Sequence, residues 1–406
     1  MTWALVATSL CGGALAEPLS WSGELGASVW SSNRQLDQQS GVGIGRARLE
    51  LEAKVPGGAH LRIEGWAMNG AARQEGSAWG LKEAYAQWRQ LPCQPSVGKR
   101  FVSWGKTDVF TPTDLLSPHD LTRLVARETD QRDGVVGLHG SCVAGPGRLA
   151  WHLLDRFKSS HVPLPNVPGV TIQRERPSVS ATQALRYEVS GEGLDWSVSA
   201  IRGHDVLPTI SLRNAGPAGM VLGLRPSAMR MLGVDAATSV GAWVFRGELA
   251  VVDYPDRSTA PGAMLTAERR PYAMGVLGAE LGLGDREAVT FQIYGRRMRA
   301  GQGAVSPASQ MLQSFQELLS NELDRHQHGF SVRYATPFAE SRADADLLLV
   351  WSRPRNDWFL RSRLNYAYTD AMRITIGVDL LRGPPDSFLG NLRRNTLAFA
   401  ELSTAW

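Results

Sequence analysis

Cysteine is scarce in this sequence, and long apolar runs are missing from nearly all of it. Only three cysteines occur, and the closest pair of histidines, His326 and His328, has no cysteine nearby that would complete a zinc site. Beyond the first residues no run of about eighteen apolar residues occurs, which excludes membrane-spanning helices. Motifs of serine hydrolases, zinc peptidases, redox-active cysteine pairs and P-loops are absent too. The sequence therefore predicts no enzyme, no metal site and no cofactor.

A concentration of charge of one sign is also lacking. The net charge of +4 and the pI near 9.1 are too mild for a nucleic-acid-binding protein, and the arginines are spread along the chain instead of forming runs. We therefore predict no nucleic-acid partner. The dispersed arginines need a structural explanation.

The first sixteen residues form an apolar stretch that ends in small side chains. Ala14, Leu15 and Ala16 fit the small-x-small pattern of a secretory cleavage site before Glu17. Residues 1–16 are thus predicted to be a signal peptide, and residues 17–406 to be one exported domain.

Most of the remaining sequence alternates apolar and polar side chains in segments of about ten residues. In the clearest segment, Gly45 to Val55, alanine, leucine and valine occupy one face, and arginine, glutamate and lysine occupy the other. This period of two is expected when one face of a strand meets lipid and the other meets a lumen. The repetition predicts an all-β protein of the cell outer membrane: an antiparallel up-and-down transmembrane β-barrel of about 18 strands, with 16 possible.

The connections between these segments support the same architecture, because short and long segments alternate. Outer-membrane barrels have short periplasmic turns and long outer loops. The predicted turns are Pro56–Gly58, Leu91–Ser96, Cys142–Gly147, Gly191–Gly193, Val240–Ala242, Gly284–Arg286, Thr336–Ala343 and Asp370–Met372. The predicted long loops include Thr107–Asp133, Ser159–Ala181, Asp205–Met229, Tyr254–Pro271 and Met298–Gln327, and Ser306–Leu323 inside the last of these is predicted to be a helix.

The strand phases direct a set of charged residues toward the lumen. The predicted substrate path comprises Arg46, Arg48, Glu50, Arg62, Glu64, Arg186, Arg246, Glu248, Arg296, Arg333, Arg361 and Arg363. Arginines outnumber carboxylates in this set, and a basic pore lining favours anions. In the alternative interpretation, these charges pair across neighbouring strands and fill the barrel.

The long loop after Trp104 concentrates charged residues in under thirty positions and contains two prolines, Pro112 and Pro118. A loop of this length in a compact architecture is usually functional or mobile. We predict that it folds inward and narrows the barrel, the alternative being a solvated outer loop. The predicted constriction residues are Lys106, Asp108, Asp114, Asp120, Arg123, Arg127 and Arg132.

The segment Val97 to Leu121 resembles part of the alginate-export-like outer-membrane barrels and of a related uncharacterised family of large barrels. The matching residues are Gly98, Arg100, Trp104, Gly105, Lys106, Asp108, Pro112, Asp114, Pro118, Asp120 and Leu121, and the preceding Leu81 to Trp88 resembles the strand that pairs with this segment in those families. The resemblance implies a barrel fold, an outer-membrane location and a strand that runs from Val97 to Gly105 into a long loop.

Two cysteines remain after removal of the signal peptide. Cys93 and Cys142 fall in predicted turns on the same side of the membrane, on connections that flank one hairpin, and the export compartment is oxidising. We predict a disulfide between them; two free thiols are the alternative.

The function predicted from these features is an outer-membrane channel or exporter with a charged, mildly basic lumen that passes a small or polymeric anionic substrate. A structural or lipid-handling barrel without an open pore is the alternative. The expected partners are outer-membrane lipids and lipopolysaccharide, the barrel-assembly machinery that recognises a terminal aromatic residue such as Trp406, and a periplasmic or inner-membrane export partner.

Overall fold

The computed structural model describes residues 19–406 except 33–39, 56, 70–78, 157, 163, 165–166, 176–180, 218, 256–261, 285, 302–305 and 339–341. The predicted signal peptide and its cleavage site lie outside the described residues. No helix in the described part of the chain is long and apolar enough to cross a bilayer.

Twenty strands form a single sheet. The first ten are β1 Ser20–Ser32, β2 Gly41–Val55, β3 Ala59–Met68, β4 Trp79–Trp88, β5 Ser96–Arg100, β6 Val135–Ala144, β7 Gly147–Arg156, β8 Val170–Arg174, β9 Thr182–Val189 and β10 Asp195–Gly216. The others are β11 Gly219–Val240, β12 Trp243–Asp253, β13 Leu265–Thr266, β14 Tyr272–Gly282, β15 Ala288–Met298, β16 His326–Pro337, β17 Ala343–Arg353, β18 Asp357–Ala367, β19 Met372–Arg382 and β20 Leu397–Ala405. Helices α1 and α2 span Pro307–Leu319 and Phe388–Asn391, and 3-10 turns span Glu128–Gln131 and Arg393–Asn395.

The sheet closes on itself. Each barrel strand pairs antiparallel with the next one in the chain, and β20 pairs with β1. Strands β8 and β13 are branches on β11 and β10, so eighteen strands form the wall. Because β20 pairs with β1, the described wall has no first or last strand with an open edge toward lipid, which could not satisfy unpaired backbone groups. The prediction of a closed antiparallel barrel of about eighteen strands is confirmed.

Alternation along the strands separates a lipid face from a lumenal face. On β3, Ile63 is 43% exposed while its neighbour Glu64 is 3% exposed. On β11, Leu232 is 68% exposed between the buried Met231 and Gly233. An apolar outer surface on a closed barrel is the arrangement of proteins that span the bacterial outer membrane, and the chain is a barrel of that membrane.

The start of β1 at Ser20 and the end of β20 at Ala405 lie at the edge of the barrel that carries the short turns, which makes this the periplasmic edge. Two expectations about the opposite edge are wrong. Asp205–Met229 is not an irregular loop, because β10 and β11 are 22-residue strands that continue past the barrel as a tall hairpin. The alternation of short and long connections is also broken, since only residues 354–356 join β17 to β18.

The longest connection, residues 101–134, lies inside the barrel. Its Val102, Trp104 and Leu116 are buried with Met229 and Met231 of the wall in a lumenal apolar cluster. The strand expected to run through Trp104 ends at Arg100. The chain leaves the sheet there because Trp104 packs into the lumen and does not continue the ladder.

Helix α1 begins as predicted, with a capping box in which Ser306 and Ser309 bond each other's backbone. It ends at Leu319, four residues earlier than expected, because Asn321 adopts a left-handed backbone conformation with φ of 52°. Leu312 packs against Ile210 and Leu224 of the tall hairpin, whereas Met311 and Phe315 stay more than half exposed. The apolar face is therefore only partly covered.

The predicted disulfide is present. Cys93 lies in the β4–β5 turn, Cys142 lies near the end of β6, and their Cα atoms are 4.1 Å apart. The bond joins residues 49 positions apart at the periplasmic edge.

Replacing both cysteines by serine should destabilise the barrel by about 4 kcal/mol if the bond acts mainly on the entropy of the unfolded chain. Denaturant unfolding in detergent micelles measures this loss, with reduced parent protein as the control, which should unfold like the variant. Alkylation of the denatured, unreduced parent should label neither Cys93 nor Cys142. Two labelled thiols per chain would contradict the disulfide.

Candidate functional site: the passage beside the inward loop

We call residues 101–134 the inward loop. The carboxylate of Glu248, on β12, anchors it from one side of the wall. Its Oε1 accepts bonds from the backbone N–H groups of Lys106 and Thr107 at 2.5 and 2.6 Å and from the Thr107 hydroxyl at 2.6 Å; its Oε2 accepts from Thr113 at 3.0 Å. Gly105 has φ of 97°, and a Cβ there would lie 2.6 Å from the carboxylate. Only glycine allows this close approach.

Strand β15 provides a second attachment for the inward loop. The side-chain oxygen of Gln292 accepts from the N–H of Val109 at 3.0 Å, and the rings of Phe110 and Tyr294 lie 4.2 Å apart. Together with the lumenal apolar cluster, these contacts seat one side of the loop against β12 and β15.

The opposite side of the loop reaches the wall through solvated ion pairs. Asp108 pairs with Arg333 at 2.9 Å, and Glu128 pairs with Arg361 at 2.8 Å. The side chains of Arg333 and Glu128 are 40% and 61% exposed. Pairs this exposed contribute little to stability, so this side of the loop is held weakly.

Arg46 connects the loop to the seam of the barrel. It pairs with Glu24 at 2.5 Å and with Glu401 at 2.8 Å, and so joins β2, β1 and β20. Gly26 of β1 is the register partner of Arg46, and a Cβ at Gly26 would lie 2.8 Å from the Nε atom of the Arg46 guanidinium. Asp130 of the loop lies 3.9 Å from Arg46.

The electrostatics of the loop keep its groups in defined charge states. Burial acts to raise the pKa of Asp130, but Arg127, Lys82 and Arg46 bring it below its usual value. Burial, together with nearby Arg132, lowers the pKa of His119. At neutral pH the loop therefore presents an ionised carboxylate and an uncharged imidazole.

Between the weakly held side of the loop and strands β16–β20 lies a cavity of about 920 Å³. It runs from the periplasmic β18–β19 turn up to the inward loop. Its cationic lining residues are Arg46, Arg127, Arg132, Arg333, Arg361, Arg363 and Arg373, and its carboxylates are Glu24, Asp108, Asp114, Glu128, Asp344, Asp346, Asp370 and Glu401. The two signs are nearly balanced.

Only four of the predicted substrate-path residues line this cavity: Arg46, Arg333, Arg361 and Arg363. The other eight lie on the lumenal side of the wall but take part in pairs elsewhere. Arg48, Glu50, Arg62 and Glu64 form one ladder, Arg186 pairs with Asp235, Arg246 pairs with Glu280, Glu248 anchors the loop, and Arg296 approaches Glu322. The ladder and the Arg246–Glu280 pair join neighbouring strands, as in the alternative interpretation, whereas Arg186 on β9 reaches Asp235 on β11 and Arg296 on β15 reaches Glu322, which precedes β16.

The predicted constriction residues also divide into two groups. Asp108, Asp114, Arg127 and Arg132 line the cavity, Lys106 approaches Glu188 at 3.5 Å, and the buried Asp120 and Arg123 pair at 3.0 Å inside the loop. Their buried pair braces the turn of the loop and does not face the cavity.

Sequence reasoning missed several lining residues, among them Glu24, Asp346 and Arg373. Each occupies a polar position in an alternating strand, so the signal was present. Arg373 is exposed at the periplasmic end and makes no ion pair with any residue in the described ranges.

No family model matches the chain, and no curated protein matches it. Among solved structures it is similar to a loop-deletion mutant of OmpT, an outer membrane protein of Vibrio cholerae, with a TM-score of 0.49, 10% identity and coverage of 96% of this chain and 99% of that chain. It is also similar to a mutant of the Rhodopseudomonas blastica porin, with a TM-score of 0.44, 10% identity and coverage of 96% and 100%. The architecture rests on the strand pairing and not on these likenesses.

Glu248→Ala should release the anchored side of the inward loop. The substitution leaves the backbone N–H groups of Lys106 and Thr107 and the hydroxyl of Thr113 without their acceptor, whereas the Thr107 hydroxyl keeps the carbonyl of Phe110. Each buried unsatisfied group costs about 1–3 kcal/mol. We expect faster proteolysis within residues 101–134 and larger, noisier single-channel currents. Glu280→Ala is the matched control, because Glu280 pairs with Arg246 and Thr290 but touches no loop residue. Equal proteolysis of both variants would contradict the anchoring role.

Proposed function

We propose that this protein is a channel of the outer membrane through which small polar solutes pass beside the inward loop. The observation that carries the proposal is the charged cavity between the loop and strands β16–β20. Its walls offer hydrogen bonds and charges of both signs, and they suit hydrated or charged solutes better than lipidic ones.

The position of the inward loop supports a small solute over a polymer. The loop and the lumenal apolar cluster occupy the β6–β12 side of the barrel, so only the other side is left for transport. The bridges from Asp108 to Arg333 and from Glu128 to Arg361 cross that side. A solute that moves past them must exchange with these exposed pairs, which open at little cost.

Charge selection should be weak. Most of the lining arginines are compensated: Arg333 also pairs with Asp346 at 2.7 Å, and Arg363 pairs with Asp379 at 2.8 Å. The cavity is lined by seven arginines and eight carboxylates, so the surplus of arginines on which the anion preference depended is absent from its lining. We propose that the channel discriminates only weakly between anions and cations.

Export of an anionic polysaccharide is a second candidate, favoured by the resemblance of Val97–Leu121 to the alginate-export-like barrels. It requires the inward loop to move aside. A structural barrel without an open pore is the third, and it requires the exposed bridges to stay closed.

Planar-bilayer recordings of the purified barrel test the channel. We expect discrete conductance steps and a reversal potential close to zero in a salt gradient. Arg373→Glu should shift the reversal potential toward cation preference, because it replaces a positive charge by a negative one at the periplasmic mouth, where Asp370 also lines the cavity. Arg286→Glu is the control: Arg286 lies exposed in the β14–β15 turn and does not line the cavity.

The outcomes separate the candidates. Absence of conductance from a correctly folded barrel would reject the channel in favour of the structural alternative. Conductance that polyuronate oligomers block at low concentration would favour polysaccharide transport. An unchanged reversal potential in Arg373→Glu would remove Arg373 from the permeation path.

A further inference from the structure

A row of basic side chains lies on the outer surface of the barrel, at the extracellular end of the lipid-facing band. All its members are exposed. They occupy the positions that continue the lipid-facing alternation; Arg230, for example, precedes the 68% exposed Leu232 by two residues. We call this set the outer basic row: Arg202, Arg230, Arg297, His326, His328, Arg353 and Arg382.

Neighbouring strands place these side chains directly opposite one another. Arg202 of β10 faces Arg230 of β11, and Arg297 of β15 faces His326 of β16. Arg202 and Arg230 carry like charges, and like charges directly opposite each other are destabilising unless an anion lies between them. Asp253 faces Arg230 from β12, but none of the five arginines of the row forms an ion pair with a residue that the structure describes.

The row coincides with the aromatic boundary of the membrane. The guanidinium of Arg353 lies 4.9 Å from the ring centre of Trp351, which belongs to the lipid-facing band. Aromatic rings in this position lie at the level of the lipid headgroups. Arg353 is therefore held at headgroup depth, and its register partner on β16, His328, lies at the same level.

The periplasmic boundary differs. There the lipid-facing ends of the strands carry aromatic and apolar residues, including Trp21, Trp243, Tyr368 and Trp406. At the corresponding positions of the six strands that bear the outer basic row, no arginine or lysine occurs among the described residues. On the described residues of these six strands, positive charge therefore meets one leaflet and not the other, as expected for a protein whose basic groups face anionic headgroups on that side.

We propose that the outer basic row binds the phosphate groups of the outer-leaflet glycolipid, with Arg202 and Arg230 together holding one phosphate. The proposal rests on the outer-membrane location in the proposed function and names a lipid partner for it. Guanidinium groups suit this role because their planar donors bind phosphate oxygens in pairs. A phosphate between Arg202 and Arg230 would also remove the repulsion between them.

Binding of bisphosphorylated lipid A to the folded barrel in detergent, followed by native mass spectrometry, tests the proposal. Arg202→Gln with Arg230→Gln should weaken binding roughly thirty-fold, as expected when two cation–phosphate contacts at a membrane surface are lost. Arg89→Gln with Arg286→Gln is the matched control, because these exposed arginines lie in periplasmic turns; it should bind like the parent.

Three results would overturn the proposal: equal binding by the Arg202 and Arg230 double variant, equal binding of dephosphorylated lipid A, or equal binding of phosphatidylglycerol, which would indicate general attraction to anionic lipid. Heat-modifiable migration shows that each variant is folded. Single-channel currents of the double variant should match those of the parent, since neither arginine lines the cavity. Failure of the lipid site would leave those currents intact, whereas failure of the channel function would abolish them.

Discussion

The arrangement of the lumen depends on one carboxylate that needs donors and one loop that needs acceptors. Glu248 is buried on the inner wall, where an unpaired carboxylate would be costly. The inward loop has left the sheet, so its backbone N–H groups have lost their ladder partners. The backbone N–H groups of the loop donate hydrogen bonds to the Glu248 carboxylate, so both sets of polar groups are satisfied. This mutual requirement draws the loop to the β12 side of the barrel and leaves space on the other.

The contacts that hold the inward loop consequently differ between the two sides of the lumen. On the β12 side, buried hydrogen bonds and the lumenal apolar cluster hold the loop through contacts that water does not reach. On the β16–β20 side, solvated ion pairs hold it. Burial and dielectric therefore decide which side of the loop is fixed and which can exchange partners with a solute.

The sequence predicts what depends on neighbours along the chain, and it fails where distant residues decide. Alternation around Arg46 and Glu64 predicts the faces of their strands, and the capping residues predict the start of α1. The end of β5 was misplaced because Trp104 is withdrawn from the ladder by packing against residues more than a hundred positions away. The sequence also did not identify the partners of Arg186 and Arg246. Alternation along a strand predicts which face a side chain occupies, but it does not predict which carboxylate lies opposite that side chain. The charge count made from the sequence therefore predicted a surplus of arginines that the lining of the cavity does not have.

The Cys93–Cys142 bond acquires a particular meaning from the length of β5. That strand is the shortest one in the wall, with four paired positions toward β4 and five toward β6, whereas every other pairing between neighbouring wall strands has seven or more. So few pairs would allow β5 to slide by two residues without exposing the wrong face. The covalent link fixes the β4–β5 turn against β6, and it thereby acts as a register lock at the point where hydrogen bonding alone specifies the alignment least.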